Sequence, residues 1–202
     1  LAPQPRRSRA VPQPGDGASI DEHDGRRPSP TGIAEDISRM RKVVLACPAL
    51  AVMGGKQRDC LAIADALKQA GAELGIATWE ADFARAGGFD ALPIQVRGLS
   101  NHARLAAFTG DLARHRREGD IVIGFEKLPD IDFYYAADPL RPPASGFKAL
   151  LPRDRTLSRL SQDALGGGKA YSFFLTEAQA QFHARAFAIP VSRFEVLPPI
   201  IH

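Results

Sequence analysis

The stretch "VMGGKQRDCLAIADAL" (residues 52–67) sets two glycines and a basic–acidic pair directly behind the apolar run Val43, Val44 and Leu45. A buried strand that runs into a glycine loop and then a helix is a common phosphate site in α/β proteins. Glycine lets the backbone approach the anion, and the helix offers free N–H groups at its positive dipole end. A plain strand-to-helix turn that needs glycine geometry would have the same sequence, so both readings stand at this point. The spacing does narrow the chemistry. The glycines do not fit G-x-G-x-x-G, which counts against a dinucleotide enzyme such as a nucleotide-sugar epimerase. Neither Gly55-Lys56 nor the later "GGGKA" (166–170) has the Ser/Thr and the first-glycine spacing of a P-loop, which counts against a nucleotide triphosphatase.

The elements that must position this loop alternate along the chain. A strand at 42–47 precedes it, and a helix at about 57–70 follows, with Cys60, Ile63, Ala64 and Leu67 on one face and Gly71 as its stop. "LGIATW" (74–79) and "LPIQV" (92–96) read as strands. A helix at 101–118 buries Leu105, Phe108 and Leu112. "DIVIGF" (120–125), "FYYAAD" (133–138), "YSFFL" (171–175) and "FEVLPP" (194–199) read as further strands. Thr176 and Gln179 have the spacing of a capping box for a helix between the last two. This alternation predicts an α/β fold, a doubly wound and mostly parallel Rossmann-like sheet. Such sheets bind ligands at the carboxyl ends of their strands. The glycine loop, Glu126-Lys127 and Asp138 all fall there.

Composition sets outer bounds. The chain is 45% hydrophobic and 24% charged, ordinary for a globular domain. Residues 1–42 hold eight Lys/Arg and six Asp/Glu, so the remaining 160 carry 18 basic and 17 acidic groups. The body is nearly neutral, and no nucleic-acid partner is expected. Cys47 and Cys60 form neither a disulfide framework nor a zinc site, and read as small buried groups in a reducing compartment. No apolar run approaches the roughly 20 residues that span a bilayer. "MRKVVLAC" (40–47) resembles a lipobox, but its apolar part is too short for an export signal. Residues 1–38, rich in Pro and Arg, hold too little apolar surface to offset ordering entropy and are expected to be a disordered tail. Residues 39–202 form the expected domain, with Met40 as a natural start.

In four stretches the body resembles the amino-terminal, acceptor-side domain of a family-4 retaining glycosyltransferase of the GT-B fold. These are "GGKQRD" (54–59), "SNHAR" (100–104), "GFEKLPDIDFYYAAD" (124–138) and "FLTEAQ…RFEVLPP" (174–199). The resemblance is to the lipopolysaccharide core glucosyltransferases, which pass glucose from UDP-glucose to a core heptose. It implies that Gly54 and Gly55 lie under the donor diphosphate, and that Asp59 and Asp138 are acids near the reacting sugar. Asn101, His102 and Lys127 become candidates for substrate contact, Lys127 on the anionic acceptor side. No metal or other cofactor is expected. Each residue also has a plainer reading. Asp59 could be a carboxylate favoured at a helix start, Asp138 a turn former before Pro139, His102 a cap, and Lys127 a solvated loop charge. A non-catalytic α/β binding module is the corresponding alternative for the whole chain.

Between 141 and 169, basic residues including Arg153, Arg155 and Arg159 stand among Phe147, Leu150, Leu151, Leu157 and Leu160. That mixture suits an anionic membrane surface, and the family's acceptor is a membrane-held glycolipid; a solvated loop is the alternative. A cytoplasmic protein, peripheral on the inner face of the membrane, is expected. "GGG" (166–168) is expected to be locally mobile. The resemblance also implies a second domain beyond "LPPIIH", holding most of the nucleotide site, and a chain that does not transfer sugar alone. The tail reading has its own test. A chain starting at Met40 should melt at the same temperature as residues 1–202, and a clear loss would show that the tail packs on the body.

Overall fold

The computed structural model describes residues 42–51, 54–137 and 146–197. The expected tail at 1–38, and Asp138 with it, lie outside the described residues. The strands are β1 (Val43–Ala46), β2 (Leu74–Thr78), β3 (Ala91–Pro93), β4 (Ile121–Gly124), β5 (Phe133–Ala136), β6 (Tyr171–Phe174) and β7 (Phe194–Val196). They form one sheet in the order β3-β2-β1-β4-β5-β6-β7, and every pairing is parallel. The helices are α1 (Gly55–Gln69), α2 (Ala81–Ala86), α3 (Asn101–His115), α4 (Pro152–Leu165) and α5 (Glu177–Phe187).

Strand β1 is the pivot. Val43 pairs with Leu74 on one edge and with Ile121 on the other, and all of its residues are buried. Parallel strands need crossovers that pack back on the sheet, so a strand in this position is covered on both faces. Val43 and Leu45 point into the layer of α1 and α2, with Cys60, Ala64 and Ala84. Val44 and Ala46 point into the opposite layer, with Phe108 and Leu112 of α3, Ala164 and Leu165 of α4, and Ala180 and Phe187 of α5. Burying a side chain of this size contributes about 1.5–3 kcal/mol.

The expected strands are all present, each slightly shorter than read. Three local differences matter. Helix α1 begins at Gly55, two residues before the expected start, so Gly55 belongs to the helix and Gly54 is its cap. The segment around Arg153, Arg155 and Arg159 is helix α4, not a loop. Pro152 sits at its start, and Leu160, Ala164 and Leu165 turn inward. The "GGG" segment is a tight 3-10 turn ending α4, not a loose joint: Gly167 and Gly168 both have φ of 69°. Arg193 donates from Nε to the Gly168 carbonyl at 2.9 Å and from Nη2 to Lys169 at 2.6 Å. A Cβ on Gly168 would stand 2.8 Å from Pro190 Cδ, so glycine is required for packing as well as for backbone conformation.

The Thr176–Gln179 signal is half a capping box. Thr176 Oγ1 accepts the Gln179 N–H at 3.1 Å, but the Gln179 side chain accepts from Leu175 N and donates to the Ala136 carbonyl at 2.7 Å. It ties α5 to the end of β5, where the expected site lies.

Candidate functional site

The site is built where the crossovers diverge, at the carboxyl ends of β1, β4 and β5. Residues 47–51 leave β1 and are held by the chain just after β2. Thr78 Oγ1 donates to the Pro48 carbonyl at 2.9 Å, and Trp79 N donates to the same oxygen at 3.1 Å. Glu80 then accepts two consecutive backbone N–H groups through Oε2, those of Leu50 and Ala51. Gln57, on the first turn of α1, donates to the Ala49 carbonyl at 3.0 Å and accepts from Gly54 N at 3.2 Å. The loop is pinned at both ends before any ligand arrives. Glu80 is a residue the sequence reading missed. Its signal is an acid just past a strand end, but its partners lie 30 residues upstream.

The two candidate glycines have different tasks. A Cβ on Gly54 would meet Gln57 Oε1 at 3.0 Å, so this position guards the loop's own hydrogen bonds. A Cβ on Gly55 would meet nothing within 4 Å. Gly55 is exposed at the start of α1, where a backbone N–H is open to an anion. Lys56 follows at a position the helix dipole disfavours for a cation. Its ammonium pairs with Glu126, from the loop after β4, with the two side chains 18% and 28% exposed. This ion pair bridges the two strand ends on either side of the switch point, and it too was missed.

Asp59 is the fifth residue of α1, so it lies beyond the first turn, and no acid occupies that turn. The helix-start reading of this carboxylate therefore loses its basis. Asp59 Oδ2 instead accepts a hydrogen bond from Tyr135 Oη at 3.0 Å. Tyr135 belongs to β5, and burial, followed by the hydrogen bond and charge of Asp59, pushes its phenol above the ordinary range. Cys47 and Cys60 are both free thiols buried in the same layer. Hydrogen bonding with Cys47, then burial, raises the Cys60 thiol and keeps it protonated.

The other candidates are placed apart. Asn101 is exposed at the start of α3, and His102 Nε2 lies 3.2 Å from Ser100 Oγ, the cap of that helix. The first turn of α3 reaches the glycine loop indirectly: Arg104 lies 4.4 Å from the centre of the Trp79 ring, and Trp79 bonds to Pro48. Lys127 has its ammonium 5.5 Å from the centre of the ring of Tyr134, a residue of the opposite layer. Arg153, Arg155 and Arg159 are exposed on α4, which packs on α3. Arg159 pairs with Asp163 at 3.6 Å. The structure thus sets Gly54, Gly55 and Asp59 along the start of one helix, with Asn101 and His102 at the start of α3, Lys127 over the Tyr134 ring and the arginines on α4.

A doubly wound parallel sheet of this kind is the architecture of one Rossmann-like half of the GT-B glycosyltransferases. No model of a known protein family matches the chain. In sequence, the chain is similar to the lipopolysaccharide glucosyltransferase WaaG of Escherichia coli K12. The two are 30% identical in an alignment 159 residues long that covers 74% of this chain and 42% of that protein. A crystal structure of WaaG, a glycosyltransferase involved in lipopolysaccharide biosynthesis, superposes with a TM-score of 0.69 and 26% identity, over 79% of this chain and 45% of that one. The Anabaena protein Alr3699/HepE, solved in complex with UDP-glucose, shares the fold at a TM-score of 0.54 and 11% identity, over 78% of this chain and 43% of its own. The chain therefore spans less than half the length of the relatives it matches.

The Glu80 clasp makes a direct prediction. Glu80→Ala leaves the N–H of the buried Leu50 without its acceptor, which costs about 1–3 kcal/mol in denaturant unfolding. Amide exchange at Leu50 and Ala51 should speed up together. Unchanged stability and exchange would show that the loop holds its shape without the clasp.

Proposed function

We propose that this chain forms the acceptor-side, amino-terminal half of a retaining glycosyltransferase that moves a hexose, with glucose the first choice, from a UDP-sugar to lipopolysaccharide core heptose. The observation that carries this reading is the 30% identity over 159 residues to a lipopolysaccharide glucosyltransferase. The site supports it physically. The exposed Gly55, first residue of α1 behind a loop fixed by Glu80 and Gln57, offers a backbone approach for a diphosphate, and Asp59 stands one turn further along the same helix. A retaining transfer must stabilise a departing UDP and a developing oxocarbenium ion. In this proposal the carboxylates of Asp59 and Asp138 serve the sugar, and cations from another part of the protein serve the diphosphate.

The same reading places the protein in the cytoplasm, peripheral on the inner face of the cell membrane. No helix among the described residues is long and apolar enough to cross a membrane. The turn before α4 exposes Phe147, Leu150 and Leu151 at 79%, 67% and 44%, beside Arg153 and Arg155. Apolar side chains rimmed by cations suit the boundary of an anionic bilayer. Leu160, which the sequence grouped with them, is in the core and takes no part.

Two experiments test these statements. The complete gene product containing this chain should transfer glucose from UDP-glucose to a heptose-bearing lipopolysaccharide acceptor. Gly55→Val should raise KM for the donor about tenfold or more while the protein stays folded, because its side chain stands in the phosphate approach and its Cβ meets no described atom within 4 Å. A folded Gly55→Val enzyme with wild-type kinetics would reduce the glycine to a turn residue. Separately, sedimentation with anionic vesicles should fall steeply with added salt and with joint charge reversal of Arg153, Arg155 and Arg159. Equal binding to neutral and anionic vesicles would refute the membrane surface.

A further inference from the structure

We propose that Tyr135 is the positioning residue for Asp59: its hydroxyl fixes one carboxylate oxygen so that the other faces a sugar hydroxyl. This deepens the reading above and rests on it. Three observations converge. Tyr135 is 5% exposed, and its ring is seated against Phe125 with centroids 5.3 Å apart and planes at 42°. Its hydroxyl therefore arrives from the rigid sheet rather than from a loop. That hydroxyl donates to Oδ2 of Asp59 at 3.0 Å. Among the described residues, no hydrogen bond or ion pair reaches Oδ1, and Asp59 is half-buried.

A half-exposed aspartate on a helix face has several staggered rotamers open to it. A charge-assisted hydrogen bond to one oxygen selects among them and leaves the second oxygen as an acceptor in a set direction. A ligand bearing hydroxyl groups, such as the hexose of a nucleotide sugar, supplies the matching donor. The phosphate approach at Gly55 lies a full turn earlier on α1, so the two parts of a nucleotide sugar fall on separate groups. The phenol suits this task because burial and the neighbouring carboxylate keep it protonated, so at working pH it donates to Asp59.

The test uses the complete gene product, with UDP-glucose and UDP as probes. Tyr135→Phe keeps the ring against Phe125 and removes only the hydroxyl. We expect kcat with UDP-glucose to fall about tenfold, with the Kd for UDP and the melting temperature unchanged. Asp59→Asn should lower kcat further, and the double variant should be no worse than Asp59→Asn, since both changes act through one carboxylate. Wild-type kcat in Tyr135→Phe would overturn the proposal, as would a parallel loss of UDP binding and thermal stability, the signature of general damage. A wild-type protein with no turnover of UDP-glucose would instead overturn the functional reading beneath it. The contact has a readout that needs no activity. In a pH titration of residues 1–202 followed by NMR of the Tyr135 ring, Asp59→Asn should lower the pH at which Tyr135 ionises, and an unchanged Tyr135 titration would refute the pairing.

Discussion

Strand β1 is hydrogen-bonded on both edges and buried on both faces, and this double commitment constrains everything around it. Its neighbours β2 and β4 are reached by crossovers that run on opposite sides of the sheet. The chain that leaves β1 thus emerges where those crossovers part. A cleft at this point follows from the connectivity, and the glycine-started helix opens into it. Residues 47–51 could not hold a fixed shape by themselves, since they carry backbone groups that no strand or helix satisfies. Thr78, Trp79 and Glu80 satisfy several of them from the next strand over. The shape of the candidate phosphate site is therefore a property of β2 as much as of its own sequence.

Electrostatics then divide the cleft along α1. At the first turn, the positive helix end and Lys56 face Glu126 across the switch point. One turn later the sign reverses: Asp59 is a carboxylate held by a neutral phenol. An anionic group and a hydroxyl-bearing group placed side by side would find complementary partners in that order. A nucleotide sugar has such a layout. Helix α4 packs into the opposite layer, so the proposed membrane contact and the proposed sugar site lie on different faces of the sheet.

The places where the sequence misled are local and have physical causes. The helix after β1 was read from its apolar spacing, and glycine carries no such signal, so its first two residues were counted as loop. Helix α4 was read through its arginines. The helical spacing of Leu157, Leu160 and Ala164 is present in the sequence, but Leu157 and Leu160 group with the charges there and Ala164 carries no signal of its own. Glycine is permissive, so the segment 166–168 reads as loose, yet Gly167 and Gly168 both have φ of 69° and Gly168 packs against Pro190. For Thr176–Gln179, a fixed spacing predicted the capping contact, but the glutamine side chain had a better partner in the Ala136 carbonyl.

The sequence by itself determined the alternating strands and helices, the doubly wound class of the fold, and the position of the glycine turn at a strand end. It also carried the resemblance that named Asp59 and its neighbours. These are legible because backbone geometry imposes short periods on apolar residues, and a motif is contiguous. Tertiary structure alone decided which side chains meet. Glu80 reaches back 30 residues to the loop, Lys56 forward 70 to Glu126, and Asp59 forward 76 to Tyr135. Strand geometry alone sends the adjacent Tyr134 and Tyr135 to opposite faces, but only the layers packed around the sheet decided which of them meets Asp59. No local pattern encodes such pairings. They follow from the order in which the crossovers lay the strands side by side, a global property of the chain.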